Sequence, residues 1–184
     1  MNDKHSLRIA LRKKRRSLAP NIHHRFSLSI CKQCISSTIF QKSQHIACYL
    51  PNDGEVETCT LIKTLWQLGK QCYLPVINAK TKALHFSLYT NDCAMQKNQY
   101  GILEPSNTNT IETKQLDLII APLVGFDKEN GRLGMGAGFY DRTLAACQTN
   151  KPAFVGLAFN CQATHTLPTE PHDAKLEAIF TETN

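Results

Sequence analysis

Apolar positions along this chain follow two rhythms. Up to residue 40 they recur at helical spacing. "DKHSLRIALRKKRRSL" sets Leu7, Ala10 or Leu11, Lys14 and Leu18 near one side of a helix, with Asp3 as N-cap and Pro20 just past the end. Lys4, Arg8, Arg12 and Arg15 fall on the opposite side. "HHRFSLSICKQCISSTIF" repeats apolar positions at Phe26, Ile30, Cys34 and Phe40, which predicts a second helix able to pack under the first.

From residue 45 the texture changes to short apolar runs separated by helical or turn segments. "HIACYL", "QCYLPVI", "LHFSLY", "LDLIIAPLV", "AFVGLAF" and "LEAIF" read as strands by length and by β-branched or aromatic content. Between the first two, "ETCTLIKTLWQLGK" places Leu61, Leu65 and Leu68 on a helical spacing, with Gly69 as a stop. Strand, helix and strand in succession predict an α/β fold with a mostly parallel sheet covered by helices. The polar stretch "EPSNTNTIETKQ", residues 104–115, reads as a mobile loop. No repeat or linker divides the chain, so residues 1–184 are expected to form one domain that begins with a basic helix.

Composition narrows the class. With 42% hydrophobic and 20% charged residues this is an ordinary globular sequence rather than a disordered or fibrous one. The net charge of +6 is confined: residues 1–25 hold eight Lys/Arg against the single Asp3, and the remainder is close to neutral. A basic helix attracts any polyanion, including nucleotide phosphates and carboxylate-rich small molecules, so the sign alone does not select nucleic acid. The eight cysteines, with no secretory leader in the sequence, read as reduced thiols. Cys31 and Cys34 form the one C-x-x-C, without a second pair at zinc spacing, and i,i+3 on a helix favours packing. No run approaches the ~20 apolar residues of a membrane span. The expectation is a cytoplasmic protein.

Five of the nine glycines lie within residues 125–138, in and just after the strand-like "LDLIIAPLVGFD", ahead of the helical "GFYDRTLAAC". At a strand's carboxyl end such a loop presents backbone N–H groups and a helix N-terminus, suited to phosphate oxygens. Both standard phosphate fingerprints fail: there is no Gly-Lys-Ser/Thr, and Phe139 stands where G-x-G-x-x-G needs its last glycine. What remains is G-x-G-x-G at Gly134, Gly136 and Gly138, flanked by Arg132, a phosphate fork, and Asp141, a hard-cation ligand. The alternative is a glycine-rich turn with both charges solvated. "YLPNDGEVET" follows the first strand and clusters Asp53, Glu55 and Glu57; Glu57 reads equally as a helix cap, whereas Glu55 is the better ligand candidate. Asp173 in "EPHDAKLEAIF" reads as a solvated carboxylate unless Asp141 joins it at a metal.

These segments, in this order, resemble the 5-formyltetrahydrofolate cyclo-ligase family, also called methenyltetrahydrofolate synthetases. The motifs are "KHSLR", "YLPNDGEVET", "YGILEP", "DLIIAPLVGFDKENGRLGMGAGFYDRTL", "GLAF" and "HDAKLEAI", and they span nearly the whole chain. The resemblance implies a three-layer α/β/α sandwich related to ribose-phosphate isomerase and CoA-transferase domains. It implies ATP- and Mg²⁺-dependent conversion of 5-formyltetrahydrofolate to 5,10-methenyltetrahydrofolate, with ADP and phosphate released. By motif, Lys4, His5, Ser6, Leu7 and Arg8 would bind ATP together with the loop Arg132, Leu133, Gly134, Met135, Gly136, Ala137, Gly138, Phe139 and Tyr140. Arg132 and Tyr140 would be catalytic. Leu50, Glu55 and Tyr100, with Met135 to Phe139, would contact folate, and Asp141 and Asp173 would hold Mg²⁺. Folate, with or without a polyglutamate tail, and ATP would be the partners of a monomer that engages neither nucleic acid nor membrane.

The sequence departs from the family at two places. Some members carry a basic residue where Met135 stands and another at Ala137, and both positions are uncharged here. Arg12 to Arg16 read as a solvated helix face or as an attractor for a polyglutamate tail. The rival readings are a nucleic-acid-binding module that uses the basic arm, and a sugar-phosphate isomerase or CoA-transferase-like enzyme without need of ATP.

Overall fold

The computed structural model describes residues 3–183. Helix α1 spans Lys4–Arg16; the carboxylate of Asp3 caps it, accepting the Ser6 N–H at 2.7 Å. Four bases in its last turn complement the helix dipole. Pro20 does more than follow this helix: it opens α2, Pro20–Ser36, at a position where its missing N–H costs nothing. The second predicted helix is in fact two. Ser37 is extended, its hydroxyl donating to Cys34 O and accepting the Phe40 N–H, so it closes α2 and caps α3, Thr38–Lys42.

The strands are β1 His45–Ala47, β2 Gln71–Ile77, β3 Leu84–Leu88, β4 Met95–Lys97, β5 Leu103–Pro105, β6 Thr110–Ile111, β7 Leu118–Pro122, β8 Gly125–Phe126, β9 Arg132–Leu133, β10 Ala153–Leu157 and β11 Ala178–Phe180. Seven of them form one sheet in the order β11-β10-β7-β1-β2-β3-β6, with β4-β5 and β8-β9 as separate ribbons. The strands from β11 through β2 are parallel; β3 is antiparallel to β2, and β6 to β3. A hairpin at Asn78, whose side chain accepts the N–H groups of Lys80 and Thr81, makes that reversal. Several strands are shorter than their apolar runs, because Tyr49 and Leu50 after β1, and Leu123 and Val124 after β7, lie outside the strands and line the crevice described below.

Helices cover both faces. Helix α4, Cys59–Gln67, joins α2 and α3 over one face, where Leu61, Leu65, Ile30, Cys34 and Phe40 meet Ile46, Leu118, Ile120 and Val155. Helix α5, Phe139–Ala146, lies on the other, where Leu144 meets Ile119, Ala121, Phe86 and Phe154. Alternation along β7 divides the two cores and yields the α/β/α layering. Cys31, Cys34, Cys48 and Cys72 are buried thiols, and desolvation pushes Cys31 and Cys72 up to about 12. They pack.

Residues 104–115 differ from the expected mobile loop. Glu104 is buried in β5, its carboxylate accepting from the Asn98 amide at 3.2 Å and from the Ile77 N–H at 3.4 Å. Thr110 and Ile111 extend the sheet edge, and Asn107 takes the Ser87 hydroxyl at 2.7 Å. Glu104 and Asn107 are thus bonding partners within the fold, while Ser106, Thr108, Asn109 and Thr110 stay exposed.

Candidate active site

The order β2-β1-β7 makes β1 a topological switch point, since the chain leaves it to one side and later returns on the other. Ligands in open α/β sheets bind at such a crevice, outside the carboxyl ends of the strands. Here that position is a cavity of about 890 Å³. Its walls are the segment after β1 (Tyr49, Leu50, Glu55), the end of β7 (Pro122 to Val124), the glycine loop, the turn bearing Tyr100, Lys4 and Arg8 of α1, and Glu170, His172 and Asp173.

The glycine loop is shaped by guanidinium groups. A β-carbon on Gly134 would stand 2.8 Å from Arg132 Nη1, one on Gly136 3.3 Å from Arg8 Cζ, and one on Gly138 2.9 Å from Arg142 Nη1. Gly136 and Gly138 also have positive φ, 104° and 65°, where side chains are strained. Arg8 Nε donates to Gly134 O at 2.9 Å; Arg142 donates to Ala137 O and, at 2.8 Å, to Lys82 O. Each carbonyl is thereby turned toward a cation, and across a trans peptide the N–H of the following residue points the opposite way. Among the described residues the N–H groups of Met135 to Gly138 donate to no protein acceptor.

Arg132 is almost fully buried and donates from Nη2 to Asp141 Oδ1 at 2.6 Å. Its guanidinium lies 5.7 Å from the Tyr140 ring and 5.6 Å from that of Phe154, and these rings stack on each other. Its Nε is buried with no acceptor. Such an unpaired donor costs about 1–3 kcal/mol. Tyr140 is held protonated: burial pushes its phenol well up, outweighing the opposing pull of Arg132. It can donate a hydrogen bond but is no base at neutral pH.

On the opposite side Lys4 contacts Asp173 at 2.9 Å and Glu170 at 3.1 Å. Burial opposes the charge on both Lys4 and Asp173, but their pairing wins, so the Lys4 pKa is raised and that of Asp173 lowered. Ligand atoms of Glu170, His172 and Asp173 lie within 4.8 Å of one another. Asp141 Oδ1 also accepts the Ala174 N–H at 3.1 Å, which ties this segment to the glycine loop. Across the cavity Glu55 is buried, accepts the Asn52 N–H at 3.0 Å, and is pushed up to about 7, chiefly by desolvation. Tyr100 meets Phe139 edge-on at 5.9 Å.

A family model for the 5-formyltetrahydrofolate cyclo-ligase family matches residues 1–182. The chain belongs to that family. It is 40% identical over 177 residues to the 5-formyltetrahydrofolate cyclo-ligase of Haemophilus influenzae, covering 95% of each chain. With the Escherichia coli K12 cyclo-ligase it shares 36% over 174 residues, 93% of this chain and 96% of that one. Its fold superposes on the 5,10-methenyltetrahydrofolate synthetase of Aquifex aeolicus with a TM-score of 0.86 at 30% identity, over 98% of this chain and 90% of that one.

In this cyclo-ligase chain, Lys4, Arg8, Leu50, Glu55, Tyr100, Asp141, Asp173 and every residue from Arg132 to Tyr140 line one cavity. His5, Ser6 and Leu7 lie outside that wall: Ser6 N–H is spent on the Asp3 cap, and Leu7 packs beside Leu11 and Leu133. Two expectations need correction. Arg12 to Arg16 are a solvated face only in part: Lys13, Lys14 and Arg16 are exposed, but Arg12, Arg15 and Arg16 all bind Asp53 and Arg15 is fully buried. Glu57 caps no helix, since α4 starts at Cys59 and Glu57 pairs instead with His23 and His24. Arg142, Asn98 and Asp53 were not singled out for the site. For Arg142 a signal existed: Gly138, four residues earlier, is where a helical side chain at 142 reaches back.

Proposed function

We propose that the cavity holds 5-formyltetrahydrofolate beside ATP and converts it to 5,10-methenyltetrahydrofolate, releasing ADP and phosphate. The observation that carries this reading is a glycine loop whose Met135 to Gly138 N–H groups are unspent among the described residues, in a cavity wall that also holds the Arg132 side chain. That combination suits a phosphoryl group bearing spread negative charge.

The formyl oxygen leaves poorly, so it takes the γ-phosphoryl group from ATP and the β–γ bridging bond breaks to give ADP. N10 then attacks the activated carbon, the carbon–oxygen bond breaks with phosphate as leaving group, and N10 loses its proton. Arg132 and the loop amides take up charge on the transferring group; Lys4 and Arg8 orient the nucleotide phosphates. Glu55 and Tyr100 face the folate, Glu55 toward pterin nitrogens and Tyr100 with Phe139 as an apolar wall. Met135, half exposed and uncharged, lines the folate side. Phe139 and Tyr140 keep water from the activated carbon.

Asp141 and Asp173 fit Mg²⁺ as hard oxygen donors at the phosphate side, and Asp141 Oδ2 has no hydrogen bond among the described residues. When bound, the ion would supply positive charge against the phosphate oxygens. The same reading has a cytoplasmic monomer acting on folate with or without a polyglutamate tail; no helix among the described residues is long and apolar enough to cross a membrane.

The test is direct. Purified protein mixed with 5-formyltetrahydrofolate and MgATP should raise the absorbance of methenyltetrahydrofolate with ADP formed in equal amount. Absence of product across pH, or product formed without ATP, overturns the reading.

A further inference from the structure

Three arginines of α1 converge on Asp53, which does not itself line the cavity. Arg12 Nε lies 2.7 Å from Asp53 Oδ2 and Arg15 Nη2 2.8 Å from the same oxygen, while Arg16 holds Oδ1. The Asp53 side chain is 8% exposed and that of Arg15 0%. Burying such a pair has a desolvation cost of several kcal/mol per ion, and a surface pair or an apolar contact would fasten a helix without it. What this pair adds is geometry.

Arg15 is a planar fork shared between two walls. Nε and Nη2 reach Asp53 O at 3.1 and 2.8 Å, and Nη1 reaches Leu123 O at 2.9 Å. Asp53 follows β1 and Leu123 follows β7, so a single guanidinium fixes the separation of the two strand ends that bound the crevice. Asp53 and Gly54 are both left-handed, with φ of 55° and 75°. For aspartate that conformation persists when its surroundings over-determine it. The pair of left-handed residues closes a tight turn in which Glu55 N–H donates to Asn52 O, and Asn52 N–H to Glu55 Oε2, both at 3.0 Å. Glu55 enters the cavity from that turn. The same helix contributes Lys4 and Arg8 to the opposite walls, through Asp173 and Gly134 O. Thirteen helical residues act as one body about 20 Å long, gripping the glycine loop near one end and the Glu55 turn near the other.

We propose that Asp53 and Arg15 are positioning residues that register the Glu55 turn against α1, so that nucleotide and folate bind interdependently. The inference rests on the assignment of Lys4 and Arg8 to ATP and of Glu55 to folate. Phosphates that draw on Lys4 and Arg8 act on the body that sets Glu55, and folate held by Glu55 steadies the body that presents Lys4 and Arg8. Linkage makes the two effects equal.

Equilibrium binding of 5-formyltetrahydrofolate is measured with and without a non-hydrolysable ATP analogue and Mg²⁺. The native protein should bind folate at least about fivefold more tightly with the analogue present. Asp53→Asn, which keeps shape but removes the charge, should bring that factor close to one. Asp53→Gly, which adopts the left-handed backbone freely, should do the same and guards against a misfolded Asn variant. Arg15→Lys, which cannot fork, should lose the factor as well. Folded variants with a lowered melting temperature but native interdependence would show a merely structural role and overturn the proposal. So would native protein that binds the two ligands independently while turning them over normally. Native protein with no turnover at all would instead bring down the assignment of function, and this inference with it.

Discussion

Gly138 and Arg142 occupy a shared space: a β-carbon on the glycine would stand 2.9 Å from Nη1 of the arginine one helical turn later. The relationship repeats at Gly134 with Arg132 and at Gly136 with Arg8. The loop is glycine-rich because guanidinium groups lie against it. Gly138→Ala should therefore lower kcat/KM by about tenfold or more, through displacement of Arg142 and strain of about 1–2 kcal/mol at positive φ. Gly69→Ala is the matched control. Its φ is 67° but nothing lies within 4 Å of the added carbon, so its melting temperature should fall while turnover per folded molecule stays native.

Arg132→Ala should reduce kcat about a hundredfold while altering the folate KM far less, because the charge it answers is greatest on the transferring phosphoryl group and not on the folate. Arg132→Lys should recover little, since a point charge replaces neither the fork nor the stacking over Tyr140 and Phe154. Steady-state kinetics with each substrate varied in turn distinguish these outcomes.

Asp141→Asn should raise the Mg²⁺ concentration for half-maximal rate by about tenfold or more. Chelation of Mg²⁺ by EDTA should abolish turnover, and readdition should restore it. A native Mg²⁺ profile for the variant would remove Asp141 from the metal site.

Glu55 couples folding to pH. Its pKa is raised from 4.5 to about 7, first by burial, with Asn52 N–H, Arg15 and Arg12 opposing. Between those values the folded state binds more protons than the unfolded one, so stability declines as pH rises from 4.5 to about 7 and levels off above. The full effect is of order 3 kcal/mol. Thermal melts from pH 5 to 8 should show Glu55→Gln losing this slope and exceeding the native protein at pH 8. The lowered pKa values of Asp173 and Glu57 act in a different window, below their ordinary values, where their stabilising contribution is lost as pH falls.

The residues that line the cavity were legible where they stood in a strand-to-loop-to-helix run, as Arg132 to Asp141 do. The sheet and its helices were legible from period, as Leu61, Leu65 and the alternating Leu118 to Ala121 show. Asp53 was not, because a carboxylate beside a turn glycine has the same local appearance whether it is solvated or gripped by three arginines 37 to 41 residues away. Arg15 was misplaced for a related reason: in a row of basic residues nothing local marks the one that is buried. Glu104 and Asn107 gave a polar, turn-rich texture whose bonds run to Asn98, Ile77 and Ser87. Long-range partners of polar groups lie beyond the reach of periodicity.

The position of β1 also has a consequence for how the molecule is made. Ile46 lies beside Cys72 on one side but beside Leu118 on the other. A nascent chain can complete the first pairing early, whereas the second must await more than forty further residues. Until β7 emerges, the buried face and open edge of β1 stand unpaired, the kind of surface that recruits neighbouring chains. The crevice is thus closed late in synthesis by a contact of high sequence separation, which sets a slow step. A ligand that spans both strand ends can bind only after that step, so folate and nucleotide would hold the finished molecule rather than guide its assembly.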